Sequence, residues 1–274
     1  MTARAPISAT SIGDGVAVLC PCAATRAGAT GRVAGRFSSG FYVESDTGLF
    51  AVGSPRIPAG PIHLVLECAP LLPAEGSMVR FGYEQLWTEQ GPIDLSRAAR
   101  YRPYQPSPKT LRKIAPVLLP LGHLNTLPND VAHLGPAVRT AVERAELHEA
   151  RQLLQGVGDG LTPTGDDVLA GLTLFARWSD PESTVPSEVA QQAATTMLSR
   201  CFLAWAARGQ SIQPVHDVID AAQLLASQMD VASPSSARDR FEQTVATVAS
   251  IGGSSGKGML AGLGLAATAW PLPS

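Results

Sequence analysis

Short hydrophobic runs follow one another through the first ninety residues of the chain, at positions 15–20, 40–44, 49–52, 62–67 and 78–81. Glycine and proline separate the runs, and the last four runs follow one another too closely for a long helix between them. Runs of this length and spacing are typical of strands that pair antiparallel. We therefore predict a small β-barrel or β-sandwich in this part of the chain.

Hydrophobic residues recur at helical spacing after Pro136. One stripe has a hydrophobic residue every four positions and predicts a single amphipathic helix over 189–205. Further stripes lie at 215–225 and 241–248. With 137–155, the segment after Asp166 and the segment after Gly258, about six helices are expected. Met197 and Trp205 belong to the first stripe, so we interpret them as core residues rather than cofactor ligands.

Prolines are concentrated between these two regions, because eight of the 22 lie within 92–136. Proline interrupts regular structure, so we expect a crossing segment with one or two short helical turns. The sequence thus predicts an α+β protein in three parts: a β-rich domain at 1–91, the proline-rich crossing at 92–136, and a helical domain at 137–274.

Composition narrows the function classes. Hydrophobic residues make up 45% of the chain, which excludes an intrinsically disordered protein. The net charge is −2, so neither nucleic acid nor an anionic membrane is an expected partner. Four cysteines in 274 residues do not form a disulfide scaffold, and Cys20-Pro21-Cys22 is too sparse for a zinc site. With no targeting or membrane-spanning pattern, we predict a cytoplasmic protein.

A glycine-rich turn at 156–165 precedes a hydrophobic helix that begins near Asp166 and Asp167. Glycines let a ligand approach the backbone N–H groups closely, and the helix N-terminus adds partial positive charge. A phosphate-binding P-loop needs Lys-Ser or Lys-Thr where this turn has the two aspartates, so a standard nucleotide site is excluded. The aspartates are candidates to orient an N–H-bearing substrate, to hold Mg²⁺, or to act as a general base.

Helix capping is the alternative interpretation of the same turn. Thr162 caps the helix if Pro163 lies in its first turn, or Thr164 caps it and Asp167 closes a capping box. Capping uses only one carboxylate, so it leaves the second aspartate unexplained. We therefore favour a functional site.

A second turn near the C-terminus repeats the pattern. Ser254, Ser255, Gly256 and Lys257 precede a helix start, and the Leu-Ala-Gly-Leu that opens it at 260–263 matches the one at 169–172. If the two helices pack through Gly171 and Gly262, both turns meet at one site, where Lys257 supplies a cation. The alternative is a helix-packing repeat whose lysine faces solvent.

Both turns resemble motifs of the AllH family, which contributes a subunit to the oxamate carbamoyltransferase of allantoin degradation. The first turn carries Gly-Leu-Thr-Pro-x-Gly-Asp-Asp-x-Leu-Ala-Gly, and the second is similar to Gly-x-(Ser/Thr)-Ser-Gly-x-Asp-x-Leu-x-Gly. The region between them is also similar to the family, at 195–199 and 206–209. One position departs, because Gly258 stands where the family usually has Asp.

The resemblance implies carbamoyl transfer between oxamate and phosphate, giving carbamoyl phosphate, together with partner subunits. It implies that Asp166 and Asp167 are catalytic or bind the carbamoyl NH₂ or a bridging Mg²⁺. The expected ligand is a small carboxylate, an amide or carbamoyl phosphate, and the alternative is a non-catalytic ligand-binding or scaffolding subunit. The predicted substrate-binding residues are Gly158, Gly160, Thr162, Thr164, Gly165, Ser254, Ser255, Gly256 and Lys257.

Overall fold

The computed structural model describes residues 6–20, 29–123, 126–228 and 235–272, in two units, Met1–Pro103 and Tyr104–Ser274. The first unit is built mainly from strands and the second from helices. The predicted α+β class, with a β-rich N-terminal part and a helical C-terminal part, is confirmed. The three-part division at 91 and 136 stays a prediction, and Pro21 and Cys22 lie outside the described residues.

Eight strands of the first unit close into a barrel. They follow the order β5-β4-β3-β2-β6-β7-β8-β1, and pairing of β1 with β5 closes the ring. A short strand β9 also pairs with β1. The strand bounds are β1 Ile7–Ile12, β2 Thr30–Phe37, β3 Gly40–Ser45, β4 Gly48–Gly53, β5 His63–Leu66, β6 Met78–Gly82, β7 Gln85–Thr88, β8 Gly91–Asp94 and β9 Ala99–Arg100.

Alternate side chains of these strands fill the barrel, because successive residues of a strand point to opposite faces. Phe50 and Phe81 meet there edge to face with ring centroids 5.3 Å apart, and both are buried. Most neighbouring strands are antiparallel as expected. The expectation is wrong for β4–β5, β1–β8 and β1–β9, which are parallel. The crossing connection at 54–62 makes the β4–β5 pair possible.

One predicted strand is a helical turn instead. Residues 15–20 contain most of α1, Asp14–Ala17, which packs Val16 and Ala17 into the interior. Gly13 precedes it, and a Cβ there would lie 2.2 Å from the Pro61 carbonyl oxygen. A short apolar run suits either a buried strand or a buried helical turn, which is why the pattern misled us. The other four predicted strands correspond to β3, β4, β5 and β6.

The second unit is helical, and its central element is α6, where every residue except Arg177 is buried. A helix that is buried on all sides lies in the middle of a core. The helix bounds are α2 Pro108–Leu118, α3 Asn129–Ala132, α4 Gly135–Glu143, α5 Leu147–Leu154, α6 Thr164–Ser179, α7 Val185–Gln192, α8 Met197–Ala206, α9 Gln213–Ser227, α10 Ser235–Ala249 and α11 Ser255–Ala269.

Two predicted helices are each divided in two. Residues 137–155 form parts of α4 and α5, separated at Ala145, whose φ of 56° a helix does not allow. The stripe at 189–205 is shared between α7 and α8, with a break at 193–196. The interpretation of Met197 and Trp205 as core residues is wrong, because Met197 is exposed and Trp205 is half-buried, while α8 buries the neighbouring face that carries Leu203. In the proline-rich region, α2 is longer than the short turns we expected and contains Pro116. The stripes at 215–225 and 241–248 are confirmed as α9 and α10.

A buried histidine joins α9 to the chain before α2. His216 accepts a hydrogen bond from the Ser211 backbone N–H at Nε2 (3.0 Å), so Nδ1 donates to the Tyr104 carbonyl, also at 3.0 Å. Burial lowers the pKa of His216 from 6.5 to about 4. The indole of Trp178 packs against its ring. This histidine is a neutral structural residue at neutral pH.

No helix in the described ranges combines the length and apolar character needed to cross a membrane.

Candidate functional site

The two glycine-rich turns have glycines at equivalent positions, and each turn joins two helices. Loop 1 (residues 155–163) joins α5 to α6, and loop 2 (residues 250–254) joins α10 to α11. Each contains a glycine at positive φ near its start, Gly156 at 72° and Gly252 at 63°. Each is followed by a glycine in the second position of the next helix. A Cβ on Gly165 would lie 2.0 Å from a carbonyl oxygen of α5, and one on Gly256 1.7 Å from a carbonyl oxygen of α10. Only glycine fits either position.

Helices α6 and α11 lie side by side, and the contact is reciprocal. A Cβ on Gly171 would lie 2.4 Å from the Met259 carbonyl oxygen, and one on Gly262 would lie 2.1 Å from the Val168 carbonyl oxygen. Val168 and Met259 occupy equivalent positions in the two repeats, so an approximate twofold axis relates the helices. Both helices begin at the same end of this pair, which brings two partial positive charges together. The predicted packing through Gly171 and Gly262 is confirmed.

Each loop also touches the first residue of the helix that follows the other loop. Thr162 Oγ1 lies 2.8 Å from Ser255 Oγ, and Thr164 Oγ1 lies 2.8 Å from Ser254 Oγ. Residues about ninety positions apart in sequence therefore meet as hydrogen-bonded pairs. The expectation that the two turns converge is confirmed, and we call this contact the loop junction.

Neither capping interpretation of loop 1 is correct. Pro163 is the residue before α6, Thr164 is the first helical residue, and no side chain caps the helix. Ser254 precedes α11 and does not cap it either. Thr162, Thr164 and Ser254 all have their hydroxyl groups in the loop junction instead.

The two adjacent aspartates have different surroundings. Both oxygens of Asp166 accept hydrogen bonds, one from the Gly156 N–H at 2.8 Å and the other from the Thr195 hydroxyl. Thr195 lies in the break between α7 and α8. Asp166 therefore ties loop 1 to that break.

Asp167 is also buried, with 8% of its surface exposed, but its Oδ2 has no hydrogen-bond partner among the described residues. Burial, together with a smaller effect of the nearby Asp166 charge, raises the pKa of Asp167 from 3.8 to about 8. A hydrogen bond from the Ser255 hydroxyl opposes this rise. The carboxyl group of Asp167 is therefore mostly protonated at neutral pH.

Gly258 faces Asp167 across the approximate twofold axis. A Cβ on Gly258 would lie 2.9 Å from the Asp167 Cβ. The same symmetry relates Lys257 to Asp166. The side chain of Lys257 is exposed, whereas that of Asp166 is 2% exposed. The starts of α6 and α11 therefore have the same backbone arrangement and differ in the charge of their side chains.

The remaining predicted residues of loop 1 have different surroundings. Gly158 has a φ of 105°, and a Cβ there would lie 2.8 Å from the Thr164 nitrogen, so it packs directly under the start of α6. Gly160 has a φ of 94°, is exposed, and a Cβ there would have no neighbour within 4 Å. Gly158 thus supports the junction, and Gly160 lies away from it.

Two residues of the site escaped sequence reasoning. Asp130, in the short helix α3, accepts a hydrogen bond from Thr164 Oγ1 at 2.9 Å. Nothing in the proline-rich segment distinguishes this aspartate, since its partner is 34 residues away. Thr195 was noticed only as part of the family resemblance. Its position inside a hydrophobic stripe, next to Thr196, was the available signal for a helix break.

A family model described as "Oxamate carbamoyltransferase subunit AllH" matches residues 154–267. This segment is AllH-like. The match begins at the end of α5, includes both loops and ends within α11, so it supports the assignment that the motifs suggested. No curated protein and no solved structure matched the chain.

The AllH-like segment contains every site residue predicted from the sequence, whereas Asp130 lies outside it. Within the described ranges, no group of three or more His, Cys, Asp or Glu side chains is placed to hold a metal ion. Asp166 already accepts two hydrogen bonds. Magnesium binding by Asp166 and Asp167 stays a prediction that this geometry does not support.

Proposed function

We propose that this chain is an AllH-type subunit of an oxamate carbamoyltransferase and that its loop junction binds the small ligand, oxamate or carbamoyl phosphate. The observation that carries the proposal is the loop junction, in which each loop is hydrogen-bonded to the first residue of the helix that follows the other loop. Because this junction lies inside the AllH-like segment, it is the natural place for the activity named by the family.

The charges at the junction suit a small anion that carries a carbamoyl group. Two helix N-termini favour negative charge, and the exposed Lys257 adds a full positive charge beside them. The carboxyl of Asp167 is neutral and therefore does not repel an anion bound nearby. In the proposed transfer, the oxamate amide nitrogen forms a bond to the carbamoyl carbon. The bond from that carbon to the phosphate oxygen breaks, and the leaving phosphate takes up the proton that the nitrogen loses, giving N-carbamoyloxamate and inorganic phosphate. The reverse of this step gives oxamate and carbamoyl phosphate.

The structure also favours a second candidate, a ligand-binding subunit whose chemistry takes place in a partner. Both oxygens of Asp166 are already hydrogen-bonded, and the unpartnered oxygen of Asp167 is buried. Neither carboxyl group is therefore presented to solvent as a general base. In this version, Asp166 positions loop 1 and the loop junction holds the ligand for a partner subunit.

Calorimetric titration of the purified full chain with oxamate and with carbamoyl phosphate tests ligand binding. We expect Lys257→Gln to weaken binding about tenfold, the loss of one charged contact. Lys113→Gln, an exposed lysine of α2, is the matched control and should not change affinity. If neither ligand binds, or if Lys257→Gln binds like the wild type, the proposed site is wrong.

Release of inorganic phosphate from carbamoyl phosphate in the presence of oxamate separates the two candidates. Turnover by the chain alone supports a catalytic subunit. Binding without turnover, followed by turnover when partner subunits are added, supports the second candidate.

A further inference from the structure

A chain of three polar side chains runs from α3 through α6 to loop 2. The Thr164 hydroxyl donates to Asp130 Oδ2 at 2.9 Å, and Thr164 Oγ1 lies 2.8 Å from Ser254 Oγ. A carboxylate oxygen only accepts hydrogen bonds, and a hydroxyl group has a single proton to donate. Since Thr164 donates its proton to Asp130, Ser254 must donate its own proton to Thr164.

Ser254 therefore has no further proton to donate, and its oxygen can only accept another hydrogen bond. Its side chain is half-buried and does not cap α11, although serine before a helix commonly does so by accepting a backbone N–H. Thr164, by contrast, is fully buried and cannot itself reach a ligand in solvent. The exposed end of this chain is a hydroxyl oxygen that can accept a hydrogen bond.

A second observation indicates that the junction is completed by another polar group. Asp167, in the same turn of α6 as Thr164, is more than nine-tenths buried, and its Oδ2 has no partner among the described residues. Buried polar atoms nearly always have partners in folded proteins, and an exception needs an explanation. The loop junction therefore contains a polar atom that the described residues leave unsatisfied.

We propose that Ser254 recognises the NH₂ group of a carbamoyl or primary-amide ligand by accepting its N–H, and that Asp130 positions Ser254 for this through Thr164. Phosphate and carboxylate oxygens are acceptors, so they gain nothing from a hydroxyl whose proton is already donated. The anionic part of the ligand then lies towards Lys257 and the helix N-termini. This inference rests on the proposed function and specifies which end of the ligand each loop residue contacts.

Oxamate and oxalate make a sharp test, because they differ by an NH₂ in place of an oxygen. Calorimetry with the full chain measures both affinities, and the decisive quantity is their ratio. Ser254→Ala should weaken oxamate binding about tenfold and leave oxalate within about twofold, since only oxamate loses a partner. Ser250→Ala, which removes an exposed hydroxyl nearby, is the matched control and should leave the ratio unchanged.

Thr164→Val tests the positioning role at nearly constant side-chain volume. Without the threonine hydroxyl, Ser254 regains a free proton, so oxalate binding should improve and the oxamate-to-oxalate ratio should fall about fivefold. Thr164→Ser should restore the ratio, and thermal unfolding confirms that both variants are folded. If the ratio stays at the wild-type value in both Ser254→Ala and Thr164→Val, the inference is wrong. If the wild type binds neither ligand, the proposed function itself is wrong.

Discussion

The protonation of Asp167 makes a quantitative prediction about stability. In the unfolded chain its pKa is near 3.8, and in the folded protein it is about 8. Between these values the folded state holds one more proton than the unfolded state, so this residue's contribution to stability is fully present below about pH 4 and is lost as pH rises towards 8. Each pH unit in this window changes the free energy of unfolding by about 1.4 kcal/mol.

Asp167→Asn removes this effect, because asparagine has the same shape and stays neutral. From pH 5 to pH 8 the variant should gain about 4 kcal/mol of stability relative to the wild type, three pH units at that slope. Urea denaturation at half-unit pH steps measures the difference in the free energy of unfolding. Using the difference cancels the contributions of all other titrating groups.

Asp159→Asn is the matched control, since Asp159 lies in the same loop with an exposed side chain. Its stability difference from the wild type should not change with pH. The reasoning fails if the difference for Asp167→Asn is also constant between pH 5 and pH 8. That result would mean that the carboxyl is ionised in the folded protein, and its proposed role as a neutral group in ligand binding would be wrong as well.

Three further predictions concern packing and hydrogen bonds. Gly262→Ala should destabilise the protein by roughly 3 kcal/mol because its Cβ has no space against α6, whereas Gly253→Ala, with nothing within 4 Å, should be nearly neutral in the same denaturation assay. Thr195→Val should cost about 1–3 kcal/mol by leaving a buried oxygen of Asp166 unpaired. If Thr195→Ser is as stable as the wild type, the stability lost in Thr195→Val is due to the missing hydroxyl group. The pKa of His216, about 4, predicts that its stabilising contribution is lost as pH falls from 6.5 towards 4. An NMR titration midpoint near 6.5 would contradict this.

Local sequence patterns predicted much of the fold. The runs that became β3 to β6 alternate or cluster in ways that strands require, and the α9 and α10 stripes have the period of a helix buried on one face. Local patterns failed at α1 and at the divided helices. An apolar run of a few residues has no distinct period. The every-fourth-residue stripe over 189–205 holds for Val189 and Ala193, but α8 buries Leu198 and Leu203 instead of the residues that continue the stripe.

The sequence also indicated which turns carry the site, because repeated glycines before helix starts impose a backbone that other residues cannot adopt. It could not separate the roles of neighbouring aspartates. Asp166 and Asp167 are adjacent in sequence. The side chain of Asp166 accepts hydrogen bonds from Thr195 and from a backbone N–H, whereas one oxygen of Asp167 has no partner among the described residues.

Composition and local spacing determined that this chain has a strand-rich part, a helical part and two related glycine turns, since those features depend on residues close together in sequence. Tertiary structure decided which hydroxyl groups pair where the turns meet, and that Asp130 joins them. These facts depend on contacts between residues from 34 to about ninety positions apart. The repeated Leu-Ala-Gly-Leu indicated that α6 could pack against α11 through Gly171 and Gly262, but which side chains then meet depends on the packed backbones, and no local pattern encodes that.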